Sequence, residues 1–325
     1  MAAERRGECR ARLFGALAFS FACASARHLG AAAPPNDAGV VDATAAAAPV
    51  PIVHTRAAKP RLATWVWRKE TVLDRTKRRD VLRFAREKGV TDIYIAAVAD
   101  YEEPDGFAAL ADLADQAQRE DVTLDWVFGD PNWARSERHD AALAVVDWAL
   151  RINARLQRAG LREIRVLQFD VEPYLLPEWT RIPGTVQAQY VALLAKLRDA
   201  TRKAGFAYWL TAPFWFDQQS FKGRPLGSLA IQSSDGIVIM AYRNTVAGVV
   251  EKAASLLRDA ATQNRLAVVA IETGCREPPA TTWCGTSAPV LASALDAIHG
   301  RLEASGAFAG LAVHSYDDWS AASSP

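Results

Sequence analysis

After Arg61 the chain alternates between apolar runs of strand length and longer amphipathic segments, and the alternation continues to its end. The strand-length runs are Ala63–Trp67, Thr91–Val98, Thr123–Phe128, Ile164–Glu172, Tyr208–Ala212, Gly236–Tyr242, Leu266–Glu272 and Phe308–Tyr316. Helical stretches between them are Arg75–Lys88, Phe107–Arg119, Asp140–Gln157, Val186–Lys203, Ala247–Gln263 and Val290–Glu303. Asp217–Ser234 has only a weak helical pattern, so a short or irregular helix is expected there. Such alternation implies parallel strands joined by right-handed crossovers. Eight units in about 260 residues match the size of a (β/α)8 TIM barrel. A doubly wound open sheet would call for a Gly-rich phosphate loop after the first strand, and Trp67-Arg68-Lys69-Glu70 supplies none.

The first 60 residues follow a different pattern. Arg5, Arg6, Arg10 and Arg12 precede the apolar stretch Leu13–Ala22, and the small residues Ala24-Ser25-Ala26 follow. Residues 1–26 thus read as an export signal, with cleavage expected near Ala26. The apolar run is too short to span a bilayer stably, so a periplasmic or secreted protein is expected. Cys23 offers a site for a lipid anchor, although Ser20-Phe21-Ala22 before it is a poor lipobox. Residues 27–60, Ala- and Pro-rich from Gly30 to Lys59, read as a disordered linker, and residues 61–325 as the barrel domain.

Of four cysteines, Cys9 and Cys23 fall in the signal segment, while Cys275 and Cys284 flank a short Pro-rich loop. In an oxidising compartment a disulfide between the latter two is expected. No CxxC or Cys/His spacing suggests zinc, and neither metal nor cofactor is expected. A net charge of +1 gives no reason to expect nucleic acid or an acidic membrane as partner.

Two glutamates, Glu172 and Glu272, close the fourth and seventh apolar runs. Side chains alternate along a strand, which puts Gln168, Asp170 and Glu172 on the barrel interior and Phe169 and Val171 toward the helices. The same register puts Val268, Ala270 and Glu272 on one face of the seventh strand. Polar groups stacked inward at a strand end are costly unless they satisfy one another or serve chemistry. Carboxylates at the carboxyl ends of barrel strands lie where such barrels react, and two facing one cleft are the equipment of a glycosidase. For Glu272 the competing reading is an ion pair with Arg276 or another loop arginine. Tyr242 ends the sixth strand, and His314 and Tyr316 share a face near the end of the eighth. Trp67, Trp133, Trp179, Trp215, Trp283 and Trp319 fall at strand ends or in adjoining loops, where flat apolar faces can stack on sugar rings.

Glu172-Pro173 and Glu272-Thr273-Gly274 resemble the clan A retaining glycoside hydrolases, whose barrels carry an Asn-Glu-Pro acid/base and a glutamate nucleophile on these two strands. The resemblance implies Glu172 as acid/base, Glu272 as nucleophile, Tyr242 as its partner and Trp319 as a sugar platform; Val171 stands in place of the family's asparagine. Asp170-Val171-Glu172 and Met240-Ala241-Tyr242 are also similar to the chitinase-like barrels, with their Asp-x-Asp-x-Glu and Met-x-Tyr. That resemblance implies Asp170 orienting a substrate acetamido group, Glu172 protonating the leaving oxygen and Tyr242 steadying the intermediate. Here Arg165, Gln168 and Arg243 replace three aspartates of that pattern. The expectation is an exported hydrolase of glycosidic bonds, with the two-carboxylate scheme ahead of the acetamido-assisted one. The expected partner is a carbohydrate, contacted by Trp67, Trp133, Trp215, His314, Tyr316 and Trp319. A catalytically silent carbohydrate-binding barrel is the alternative of a different class.

Overall fold

The computed structural model describes residues 61–322; the segments read above as export signal and linker, with Cys9 and Cys23, lie outside the described residues. Eight parallel strands close into a barrel. They are β1 (Arg61–Val66), β2 (Asp92–Ala96), β3 (Thr123–Phe128), β4 (Val166–Phe169), β5 (Ala207–Pro213), β6 (Gly236–Met240), β7 (Leu266–Glu272) and β8 (Phe308–His314). Neighbours run in chain order, and β8 pairs back onto β1. The principal helices after successive strands are α1 (Arg75–Lys88), α2 (Pro104–Arg119), α3 (His139–Arg158), α4 (Pro183–Ala204), α5 (Leu226–Ser233), α6 (Val246–Thr262), α7 (Ala288–Leu302) and α8 (Tyr316–Ala322). The fold is the (β/α)8 TIM barrel. No described helix is long and apolar enough to cross a membrane.

Strand alternation divides the apolar residues into two cores. Ile93, Ile95, Trp126, Phe128, Phe169 and Val171 point outward and pack with the helices. Ala63, Trp65, Tyr94, Val127, Trp209, Val238, Val268, Ala270 and Ala312 fill the barrel itself. Large rings are balanced by small residues, as interdigitated layers require. At the β8–β1 seam Gly310 has φ +143°, and a Cβ there would lie 2.2 Å from the Arg61 carbonyl oxygen. Only glycine permits that approach.

Local signals fix the helix ends. The Asp74 carboxylate accepts from the Thr76 and Lys77 amides, capping α1, and Gly89 ends α1 in the left-handed region at φ 70°. The weakly patterned stretch after β5 resolves into a 3-10 turn at Phe214–Asp217, a two-stranded hairpin pairing Ser220–Phe221 with Arg224–Pro225, and the short α5.

Five strands stop short of the sequence-based limits: β1 at Val66, β2 at Ala96, β4 at Phe169, β6 at Met240 and β8 at His314. The Asp170 and Ala241 amides each add one further inter-strand bond, to Phe128 and Ala270 respectively, before the chain turns away. The eighth unit carries a correction. Expected at the sugar-binding rim, Tyr316 and Trp319 instead belong to α8, three residues apart and so on one helical face. Both are buried edge-to-face against Phe84 of α1, with ring centroids 5.3 and 5.0 Å away. They close the outer core and do not present a face to the cleft.

Candidate active site

The carboxyl ends of β4, β6, β7 and β8 and the loop after β1 bring together Asp170, Glu172, Tyr242, Glu272, His314 and Trp67. At β4 the inward register starts lower, where the Gln168 amide donates to Thr211 Oγ1 at 2.6 Å. Asp170 and Glu172 continue it upward. Asp170 is held against the end of β3 through its amide, 2.7 Å from the Phe128 carbonyl oxygen. Gly129 makes room for it: a Cβ there would lie 2.5 Å from the Asp170 carbonyl oxygen.

Asp170 Oδ1 is buried without a hydrogen-bond partner among the described residues. Burial pushes the Asp170 carboxyl up to about 6, opposed by the His314 ring whenever that is protonated. Glu172 is buried and goes further, to about 8, first through burial and then through the neighbouring Asp170. The Tyr174 hydroxyl donates to Glu172 Oε1 and partly offsets the rise. Two carboxyl groups on one face, each disfavouring charge on the other, make a site that retains one proton near neutral pH. Tyr174 itself is raised well above the usual tyrosine range, by burial and by Glu172, and stays a donor. Sequence reasoning gave Tyr174 no role; its place two residues after Glu172 in Glu-Pro-Tyr was the available signal.

Glu272 belongs to a second hydrogen-bonded group. It pairs in register with His314 on β8, and the imidazole Nδ1 lies 3.1 Å from Glu272 Oε2. Trp67 Nε1 lies 2.8 Å from His314 Nε2. An indole N–H can only donate, so Nε2 offers its lone pair and the imidazole proton sits on Nδ1, directed at Glu272. Glu272 Oε1 accepts from the Gly274 amide at 2.7 Å. Both oxygens are therefore engaged, and the residue is 1% exposed. The ion pair with Arg276 that the sequence also offered is present but long, with Nε 3.9 Å from Glu272 Oε2.

Tyr242 joins the two groups. Its ring lies 6.2 Å from that of His314. Its hydroxyl is driven well above the ordinary tyrosine value by burial first, then by the charges of Glu272, Asp170 and Glu172, with Arg276 opposing.

The loop after β7 is fixed by the disulfide Cys275–Cys284, with Cα atoms 4.9 Å apart. Trp283, next to that disulfide, donates its amide to the Glu272 carbonyl at 2.8 Å, and its ring packs into the outer core. Across the mouth, the β4 and β5 loops carry an aromatic strip. Trp215 meets Tyr174 edge-to-face at 4.9 Å, and Trp179 stacks over Phe216 at 6.4 Å. Trp215 is half-buried beside Glu172's own partner and Trp133 half-buried in the turn after β3, and both pack on the outer core. Trp67 is likewise half-buried, with its polar edge turned inward to His314.

The chain is similar to a GH18 chitinase from Pseudoalteromonas aurantia, over 79% of this chain and 94% of that one, at 11% identity and TM-score 0.54. It is also similar to the exo-beta-1,4-mannosidase Op5Man5 from Opitutaceae bacterium strain TAV5, at 12% identity and TM-score 0.51, covering 78% of this chain and 51% of that one. At such identities the likeness is one of fold. No family model and no curated protein matches the chain.

Proposed function

We propose that this barrel hydrolyses glycosidic bonds in an N-acetylated glycan, with Glu172 as general acid and Asp170 as the carboxylate that steers the substrate's acetamido group. The observation that carries the reading is the pairing of Asp170 with Glu172 on one interior face, where burial and Asp170 push Glu172 up to about 8. An acid still protonated at neutral pH is what departure of a sugar oxygen requires.

In this scheme Glu172 gives its proton to the glycosidic oxygen as the C1–O bond breaks. The acetamido carbonyl oxygen closes onto C1, and Asp170 accepts the acetamide N–H and balances the positive charge of the ring so formed. Glu172, now a carboxylate, takes a proton from the water that opens that ring at C1, so configuration is retained. In this scheme the Tyr242 hydroxyl donates to the acetamide oxygen. The half-buried Trp215 and Trp179 offer flat faces for sugar rings on the Glu172 side. The Arg-rich leader and the disulfide-closed loop support action outside the cytoplasm, on an extracellular or periplasmic glycan.

A second reading, with Glu272 as nucleophile, is favoured by its inward place at the end of β7, beside Tyr242. Its two engaged oxygens and near-complete burial weigh against attack on a sugar carbon.

The test is hydrolysis of an N-acetylglucosamine hexamer against its de-N-acetylated counterpart. Cleavage of the first, with a loss of ~10²-fold or more on the second and in Asp170→Asn, supports acetamido assistance. Comparable cleavage of both, with Glu272→Gln inactive, supports the two-carboxylate scheme. Binding without turnover of any glycan would make this a silent carbohydrate-binding barrel.

A further inference from the structure

Arg276 is the loop arginine nearest the buried Glu272, and its ion pairs with Glu272 and Asp318 are long. Its Nε lies 3.9 Å from Glu272 Oε2 and its Nη2 4.0 Å from Asp318 Oδ2, both beyond hydrogen-bond reach. An arginine whose purpose is to neutralise a buried carboxylate would dock with short, often bidentate bonds. Here the carboxylates have donors of their own. Glu272 is served by the Gly274 amide at 2.7 Å and by His314, which the Trp67 indole holds in the donating tautomer. Asp318 Oδ2 accepts from the Ser315 hydroxyl at 3.1 Å. Among the described residues the Arg276 guanidinium makes no hydrogen bond, and its side chain is 37% exposed.

Its placement is nevertheless fixed. The preceding residue is tied by the Cys275–Cys284 bridge, and Gly274 is held by the contact of its amide with Glu272. Its charge reaches the Tyr242 hydroxyl, the same group that feels Asp170 and Glu172. Arg276 therefore stands beside Glu272, whose partner His314 faces the Tyr242 ring at 6.2 Å, with its guanidinium partly open to solvent.

We propose that Arg276 is a specificity-determining residue that binds an anionic substituent, a carboxylate or sulfate ester, on the glycan seated in this cleft. The substrate class is then an acidic N-acetylated glycan. This inference rests on the reading of the cleft as a glycan site, and adds a charge requirement to it. Glu272 and Asp318 would repel an anion placed between them and the arginine, so the acidic group is received on the outward edge of the guanidinium. The planar fork matches two oxygens of either group in a way an ammonium cannot.

Three hexasaccharide probes test it by calorimetry on the disulfide-intact protein, in a Glu172→Gln background that suppresses turnover. They are a neutral N-acetylglucosamine hexamer, a hyaluronan hexamer carrying carboxylates, and a chondroitin sulfate hexamer carrying sulfates as well. One of the acidic probes is expected to bind ~10–100-fold tighter than the neutral one, as a charge-assisted bidentate contact allows. Which one does so identifies the anion. Adding Arg276→Gln should erase that ratio, and Arg276→Lys should retain only part of it. Equal affinity for all three, or a preference that survives Arg276→Gln, overturns the inference. Hydrolysis of the neutral hexamer by the wild type is scored separately. Turnover without anion preference leaves the glycosidase reading standing and removes Arg276, whereas anion preference without turnover does the reverse.

Discussion

Replacing Asp170 with asparagine should change the shape of the pH–rate profile and not merely its height. In the proposed scheme the productive state has Asp170 ionised and Glu172 protonated. With the pair at about 6 and about 8, that state makes up about 0.8 of the protein at pH 7 and roughly 0.1 at pH 5 or pH 9. The profile of kcat/KM is therefore a bell centred near pH 7, about tenfold down two units to either side. Asparagine removes the group behind the acid limb. It also removes the charge that, after burial, holds Glu172 up, so the alkaline limb moves to lower pH. The assay is the initial rate of N-acetylglucosamine hexamer hydrolysis from pH 4.5 to 9.5 for wild type and Asp170→Asn, with folding checked by circular dichroism at each end. An alkaline limb that stays in place or moves upward, or a wild-type profile flat from pH 5 to pH 9, would refute the coupling of the two carboxyls.

Other consequences are independent of that one. Tyr174→Phe removes a donor to Glu172 that lowers its pKa, so the alkaline limb should shift upward while KM changes little, as steady-state kinetics would show. At the opposite end of the barrel, Asp125 is pushed up to about 8, by burial and then by Asp92, with Arg61 opposing. Because its folded value exceeds the unfolded one, its contribution is fully present below about pH 4 and is lost as pH rises toward 8. Asp125→Asn should accordingly raise the melting temperature more at pH 8 than at pH 5, with the stability difference on the order of a few kcal/mol by linkage, and an equal gain at both would contradict it. Reduction of Cys275–Cys284, which closes a loop of sequence separation 9, should cost roughly 2.5–3 kcal/mol in chemical denaturation. It should also free the Arg276 loop. Trp319→Ala should destabilise by ~3–5 kcal/mol without changing KM, since the ring fills the contact with Phe84 and not the cleft.

The barrel was legible because apolar runs of strand length alternate with amphipathic segments, and burial on both faces of a strand leaves a nearly continuous apolar run. The inward register of Asp170, Glu172 and Glu272 followed from the alternation of side chains along a strand. What escaped was set by contacts distant in sequence or by short elements. Trp67 and His314 are 247 residues apart, so nothing local could show that the indole of one fixes the tautomer of the other. The run from Phe308 to Tyr316 is continuously compatible with a strand, yet the chain leaves the sheet after His314, and the spacing of Tyr316 and Trp319 takes effect as a helix face. The hairpin before α5 has only two residues per strand, too few for periodicity to register. For Glu272, strand position pointed to chemistry equally under either role, and only the donors at both its oxygens separate them.

Whether Glu172 supplies the proton that cleaves a glycosidic bond is tested by turnover of an N-acetylglucosamine hexamer at pH 7 by wild type and Glu172→Gln, with binding measured on the same preparations. Glutamine keeps the side-chain shape and can still accept from Tyr174, but it cannot give up a proton. The expected kcat of Glu172→Gln is lower by ~10²–10⁴, with affinity within a few-fold of wild type. Undiminished turnover in Glu172→Gln would contradict that role outright.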